Sequence, residues 1–294
     1  MDLAATAYKL FPFLPLQEIH FMKDLKGRTA IVTGASAGLG VRVARSLAAE
    51  GMNLVLAARS AAALEAVAAE LRGMGVKAIA VPTDVADDQQ LTRLVERTVS
   101  EFGSIDVLVN NAGIEAFRPF HELDADDIRR TIDVNLTATL QLTRLVLPHM
   151  IQARRGHIVN MASTAGKQGP AFGAAYGASK AGMIAFTQAL RTEYHGTGVS
   201  ASAVCPGFAS DGGIYEVIRQ RIGKGTPWYV GSTTAKAVAR AVVKAVKRDR
   251  PDVIVNVPAL RPVFVLCQAF PRIGEWIVRK TTFKYLKRAG MSHD

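Results

Sequence analysis

Short aliphatic and β-branched runs alternate with segments of helical period along most of this chain. That alternation constrains the fold more than any single motif. "RTAIVTGAS" (28–36) leads into the helical "GVRVARSLAAEG" (40–51), and "MNLVLAAR" (52–59) into "AAALEAVAAELRGMG" (61–75). "KAIAVPTDV" (77–85) precedes "DDQQLTRLVERTVSEFG" (87–103), and "IDVLVNNAG" (105–113) precedes a long helical region over 124–154. "GHIVNMAS" (156–163), the helical 174–198, "VSASAVCPG" (199–207), a helix from Ser232 as N-cap, and "DVIVNVP" (252–258) complete the series. The strands are apolar throughout rather than alternating, which fits a parallel sheet covered by helices on both faces. Seven strands in one α/β unit over 25–258 are expected, after an apolar stretch (1–24) and before a basic amphipathic helical tail (259–294).

The turn between the first strand and first helix reads "TGASAGLG", Thr33 to Gly40. A glycine pattern is informative when a strand precedes it and a helix follows, as here. Gly34 suits the tight turn, Gly38 admits a pyrophosphate close to the backbone, and Gly40 allows close helix–sheet packing. The helix N-terminus favours the anion. The expected architecture is therefore Rossmann-like and doubly wound.

The spacing Gly-x-x-x-Gly-x-Gly resembles that of the short-chain dehydrogenase/reductase family. Further motifs carry the likeness from 27 to about 207: "NNAG" at 110–113, Asn135 in "DVNL", Ser163, "YGASK" thirteen residues later, and "CPG". The resemblance implies an NAD(P)-dependent enzyme that interconverts a carbonyl and an alcohol. Its catalytic set would be Asn135, Ser163, Tyr176 and Lys180. Its cofactor set would be Gly34, Ser36, Gly38, Leu39, Gly40, Arg59, Asp84, Val85, Asn111, Ala112, Gly113, Pro206 and Gly207, together with Tyr176 and Lys180. Tyr176 would pass a proton to or from the substrate oxygen, and Ser163 would hold that oxygen. Lys180 would grip the ribose and favour the phenolate. Asn135 would keep a relay water in place. No metal is expected, since the six histidines show no ligand spacing.

The second strand ends in "LAARS" with no acid for a ribose 2′-hydroxyl. Arg59 can pair with a 2′-phosphate instead, and Ser60 can help. NADP(H) is thus favoured, with NAD(H) as the alternative. Ala37 departs from the basic loop residue of many NADP-dependent relatives. Asp84 and Val85 match the adenine-contacting position, although an Asp after a strand is also a common helix cap. After "CPG" the expected threonine is replaced by Asp211.

Residues 208–231 read as a mobile lid, greasy through Phe208, Ile214, Tyr215, Trp228 and Tyr229 and hinged at Gly212, Gly213, Gly223 and Gly225. A bulky lipophilic steroid-, polyketide- or acyl-like substrate is expected. The chain carries a net charge of +11, and residues 244–294 hold eleven Lys or Arg against four acids. Val263, Leu266, Cys267 and Phe270, then Ile273, Trp276 and Ile277, form apolar stripes there. The tail either packs over the pocket or a subunit, or lies on an anionic membrane surface. Two cysteines in apolar contexts suit a reducing cytoplasm, and nothing at the N-terminus reads as a signal peptide. No nucleic-acid motif accompanies the charge. The resemblance implies a homodimer or homotetramer, paired through helices around 125–154 and 174–195. A non-catalytic dinucleotide sensor is the competing class, and it usually lacks the Tyr or the Lys that this chain keeps.

Overall fold

The computed structural model describes residues 22–213, 215–216, 219–220, 223 and 225–291, the side chains of 289 and 291 excepted. The "KLFPFLPL" stretch and Ile214 of the lid lie outside the described residues. The elements run β1 (Thr29–Thr33), α1 (Gly38–Ala49), β2 (Asn53–Ala58), α2 (Ala61–Gly73), β3 (Ala78–Pro82), α3 (Asp88–Phe102) and β4 (Val107–Asn110). They continue with α4 (Ala125–Ile132), α5 (Ala138–Gln152), β5 (Gly156–Met161), α6 (Ala174–Glu193), β6 (Val199–Pro206), α7 (Ala235–Arg248) and β7 (Asp252–Val255). Three tail helices follow: α8 (Arg261–Ala269), α9 (Pro271–Thr281) and α10 (Phe283–Met291).

All seven strands are parallel, in the order β3-β2-β1-β4-β5-β6-β7. Successive side chains point to opposite faces, so one strand feeds two cores. Val32, Leu54 and Leu56 pack with α1, α2 and α7, and Ile31, Val55 and Leu108 pack with α3, α5 and α6. Helix ends follow their local chemistry. Asp87 caps α3, its carboxylate accepting from Gln89 N and Gln90 N at 2.9 and 3.0 Å. Helix α7 begins two residues later than Ser232 would place it, because Thr234 is its cap and accepts from Ala237 N at 3.1 Å.

The helical region expected over 124–154 forms, with one change of winding. A π-helical segment, Asp133–Thr137, joins α4 to α5 and buries Asn135 completely. Such widened turns redirect a side chain at modest cost.

Polar side chains lock β4 and β5 to the helices beneath the C-terminal ends of the strands. Asn110 Nδ2 donates to Thr143 Oγ1 (3.1 Å) and Asn160 Oδ1 (2.9 Å). Asn160 Nδ2 in turn donates to Thr187 Oγ1 (2.9 Å), whose hydroxyl donates to the Met183 carbonyl (2.7 Å). Removing one member strands the others in a dry interior. Asn160→Ala should therefore cost about 1–3 kcal/mol, read as a lower urea midpoint with an unchanged m-value.

Candidate active site

The strand order reverses between β1 and β4, and a cavity of about 780 Å³ opens there at the C-terminal ends of the strands. One wall is the glycine loop. Gly34 and Gly38 take positive φ (64° and 57°), a region unfavourable to other residues. A Cβ at Gly40 would strike the Gly34 carbonyl oxygen and come within 2.8 Å of Asn111 Nδ2. Helix α1 starts at Gly38 with no side-chain cap and no acid in its first turn, so its leading N–H groups suit an anion. These features fit a dinucleotide pyrophosphate. Leu39 also lines the cavity, whereas Ser36 lies in the loop off its wall.

Asn111 holds this loop against the end of β4. Its Nδ2 donates to the Thr33 carbonyl at 2.8 Å, while Thr33 Oγ1 accepts from Asn111 N (2.9 Å) and Ala112 N (3.0 Å). Asn111, Ala112 and Gly113 face the cavity, as do Pro206 and Gly207 at the end of β6.

Ser163, Tyr176 and Lys180 meet on the opposite wall. Tyr176 lies in the first turn of α6, and Ser163 follows β5 and hydrogen-bonds the phenol. Lys180, one turn on from Tyr176, is buried. Its Nζ donates to the Met161 carbonyl at 2.8 Å and lies 5.8 Å from the Tyr176 ring centre. A Cβ on Gly166 would meet the Lys180 backbone at 2.6 Å, so the turn after Ser163 must pass flush against α6.

The electrostatics correct one expectation. The ammonium does not bring the phenol below its ordinary range. Burial pushes Tyr176 up to about 12 despite the Ser163 hydrogen bond, with Glu115 adding to the rise. Burial likewise pushes Lys180 down to about 8. Desolvation is the largest cause for both groups.

The Asn135 amide ties two neighbouring segments together. Its Oδ1 accepts from Ile114 N (2.8 Å), and its Nδ2 donates to the Ile114 carbonyl (2.9 Å) and Ser179 Oγ (3.0 Å). It thereby fixes the chain beside Gly113, where a Cβ would lie 3.5 Å from Lys180 Nζ.

Arg59, Asp84 and Val85 are off the cavity wall, at the ends of β2 and β3. Arg59 is exposed and makes no hydrogen bond or ion pair with the described residues. Ser60 caps α2, accepting from Ala63 N at 3.4 Å. Asp84 does not cap α3, since Asp87 does; Asp84 Oδ1 accepts from Ala86 N at 3.0 Å. Asp211 likewise has a structural partner, accepting from Ala235 N at 2.5 Å at the start of α7.

The lid and tail close the chamber. Gly213 N would lie 2.9 Å from a Cβ on Gly38, so the lid touches the glycine loop. Phe208, Tyr215 and Tyr229 line the cavity, but Trp228 points away and is 86% exposed. The tail forms the roof through Val263, Phe264, Cys267, Ile277, Val278 and Leu286. The stripe divides accordingly, because Leu266, Phe270, Ile273 and Trp276 face outward. Tyr285 of α10 donates to the Tyr215 hydroxyl at 3.2 Å, and that oxygen accepts from Thr226 N at 2.8 Å. This latch and Phe172, held at φ 64° against Phe283, carried no recognisable motif.

A doubly wound sheet with a glycine loop facing a Ser–Tyr–Lys wall defines an oxidoreductase of Rossmann type. The chain belongs to the short chain dehydrogenase family, whose sequence profile matches residues 28–221. It is 46% identical over 235 residues to the ketoacyl reductase HetN of Nostoc sp., covering 80% of each chain. It is similar to a short-chain dehydrogenase/reductase of Burkholderia phymatum in complex with NAD (TM-score 0.76, 28% identity, 86% of this chain and 97% of that one). It is also similar to an actinorhodin polyketide ketoreductase with NADPH (TM-score 0.73, 31% identity, 78% and 95% covered).

The Lys180 environment has a pH signature. Its pKa is about 8 in the fold and 10.5 when unfolded. The unfolded chain therefore binds more protons between these values, and stability rises with pH through that window. Tyr176, raised from 10 to about 12, makes stability fall with pH only above about 10. Urea midpoints should be higher at about pH 9.5 than at about pH 7.5, and Lys180→Met should lose this increment.

Proposed function

We propose that the chain is an NADP(H)-dependent ketoreductase acting on a bulky lipophilic carbonyl compound, acyl- or polyketide-like, or on the corresponding alcohol. One observation carries the reading: a half-buried phenol, a serine hydroxyl and a buried lysine line the same chamber as a glycine loop. In this reading Gly34 to Gly40 and the N-terminus of α1 hold the pyrophosphate. Asn111, Ala112, Gly113, Pro206, Gly207 and Lys180 hold the ribose and nicotinamide end. Asp84 and Val85 meet the adenine. When bound, the nicotinamide supplies or accepts the hydride.

Tyr176 is the general acid in reduction. A phenol held protonated by burial can give its proton to a carbonyl oxygen as charge develops there. Ser163 Oγ donates to the same oxygen and stabilises that charge before the proton arrives. Lys180 keeps a cation near the phenolate left behind. Asn135 acts by holding Ile114, and through it Gly113, against Lys180. In oxidation the same groups run in reverse, Tyr176 accepting the alcohol proton.

Arg59 supports NADP(H): it is exposed, unpaired and at the end of a strand lacking an acid. The identity of the roof and lid residues, with the ketoacyl reductase relative, supports the substrate class. Leu140 and Ile151 remain exposed on α5, which supports pairing of copies through that helix.

Cofactor titration followed by a ketone panel tests the reading. NADPH should bind at least about tenfold more tightly than NADH, and Arg59→Ala should erase the preference. Equal binding of both by the native protein would return the assignment to NAD. Tyr176→Phe should lower kcat by about 10²–10⁴ with NADPH affinity retained; an active variant would remove Tyr176 from the chemistry. Tyr285→Phe, which breaks the latch, should raise KM for long apolar ketones more than it changes kcat.

A further inference from the structure

The tail helices are apolar on two sides. Their inner rows roof the cavity. Their outer side exposes Val265 (62%), Phe270 (55%), Ile273 (44%) and Trp276 (60%). Along α9 the outer ridge runs Ile273, Trp276 and Lys280, the i, i+3, i+7 spacing of one helical face, and Lys284 follows in α10. A roof needing only water outside would carry polar residues on this ridge.

The surrounding charge is of one sign. Residues 261–291 hold seven Lys or Arg and a single acid, Glu275. Glu275 pairs with Arg279, and Arg261 with Asp252. Arg272, Lys280, Lys284, Lys287 and Arg288 are exposed and have no ion-pair partner among the described residues. A second copy of this chain would bring the same excess of cations against it, so self-association through this face is opposed. No described helix is long and apolar enough to cross a membrane. Three short helices with an exposed Trp, a greasy ridge and unpaired cations have the make-up of an in-plane interfacial anchor.

We propose that the outer face of α8–α10 seats the protein on an anionic lipid bilayer, with the ridge from Phe270 to Trp276 among the acyl chains and the basic residues at the headgroups. The proposal does not depend on the reaction assigned to the chamber. It places the roof, and thus the way in for an apolar compound, against the lipid phase.

The test uses the full chain and vesicles of phosphatidylglycerol with phosphatidylcholine, against phosphatidylcholine alone. The chain has two tryptophans, so Trp228→Phe leaves Trp276 as sole reporter. Its emission should shift to the blue and be quenched by brominated acyl chains on anionic vesicles only, with the shift weakened by salt. In co-sedimentation, Ile273→Ser/Trp276→Ser should weaken binding at least about tenfold. Half-burying one such side chain is already worth about the 1.4 kcal/mol of a factor of ten. Lys280→Glu/Lys284→Glu should weaken it similarly. Lys244→Glu/Arg248→Glu, in the basic groove between the ends of α1 and α7, should leave it unchanged. Thermal melts of each variant verify folding. No vesicle binding, binding indifferent to the ridge variants, or loss only with the groove variant would overturn the proposal. So would a native dimer that Trp276→Ser dissociates.

Discussion

The stitch between Thr33 and Asn111 is the contact on which the site depends. At this point β1 and β4 are neighbours, but their chains leave toward opposite faces of the sheet. Such a divergence opens a crevice, and an open crevice without cross-links would let the glycine loop drift. One hydroxyl accepting from two backbone N–H groups, and one side-chain amide donating to a strand-end carbonyl, hold both sides together. Gly40 makes this fit feasible, because any side chain there would drive the loop off the amide that secures it. The Asn110–Asn160–Thr187 network continues the same fastening downward into the sheet.

The chemistry of the chamber then follows from what wins locally. Near a lysine, a phenol in water would titrate lower; in a closed apolar site, the cost of creating an unsolvated anion dominates. The result is a proton held by Tyr176 and a lysine whose charge is less secure than on a surface. That balance suits donation to a carbonyl. It also makes the state of the pair sensitive to any charge that enters beside it, which is a means of coupling proton transfer to occupancy of the chamber.

Much of this is legible in the sequence alone. Continuous apolar strands and helical-period segments reported the sheet and its order of elements, because burial on both faces leaves that pattern. The glycine loop and the Tyr–Lys pair were legible because their spacing is set by one turn and by one helical repeat. Local partners were harder. Asp84 matched an adenine-contacting position with a helix cap as its alternative, and the cap turned out to be Asp87, three residues later; carboxylates that close together are interchangeable on paper. The π turn at Asn135 leaves no compositional trace. The Tyr215–Tyr285 latch joins residues seventy apart through side chains that are ordinary in isolation. The tail stripe was visible, but a helix apolar on two sides has no single period from which to read its inward face.

The roof has to satisfy two opposed demands, and its construction meets both weakly. It must exclude water, or the low-dielectric advantage of the site is lost. It must also open to admit whatever the apolar chamber receives. Three short helices, crossing where Gly274 lets the backbone of Cys267 approach, give a cover with little internal cohesion. The tyrosine hydrogen bond that ties it to the lid is worth only about 1 kcal/mol net. The apolar contacts of the cavity lining are available to a bound apolar chain as readily as to the empty wall. Closure is therefore stabilised chiefly by what the chamber contains. An apolar chain long enough to touch Phe264, Ile277 and Leu286 would complete the roof that a short one leaves loose, so the weakness that lets a bulky molecule in would also favour it once inside.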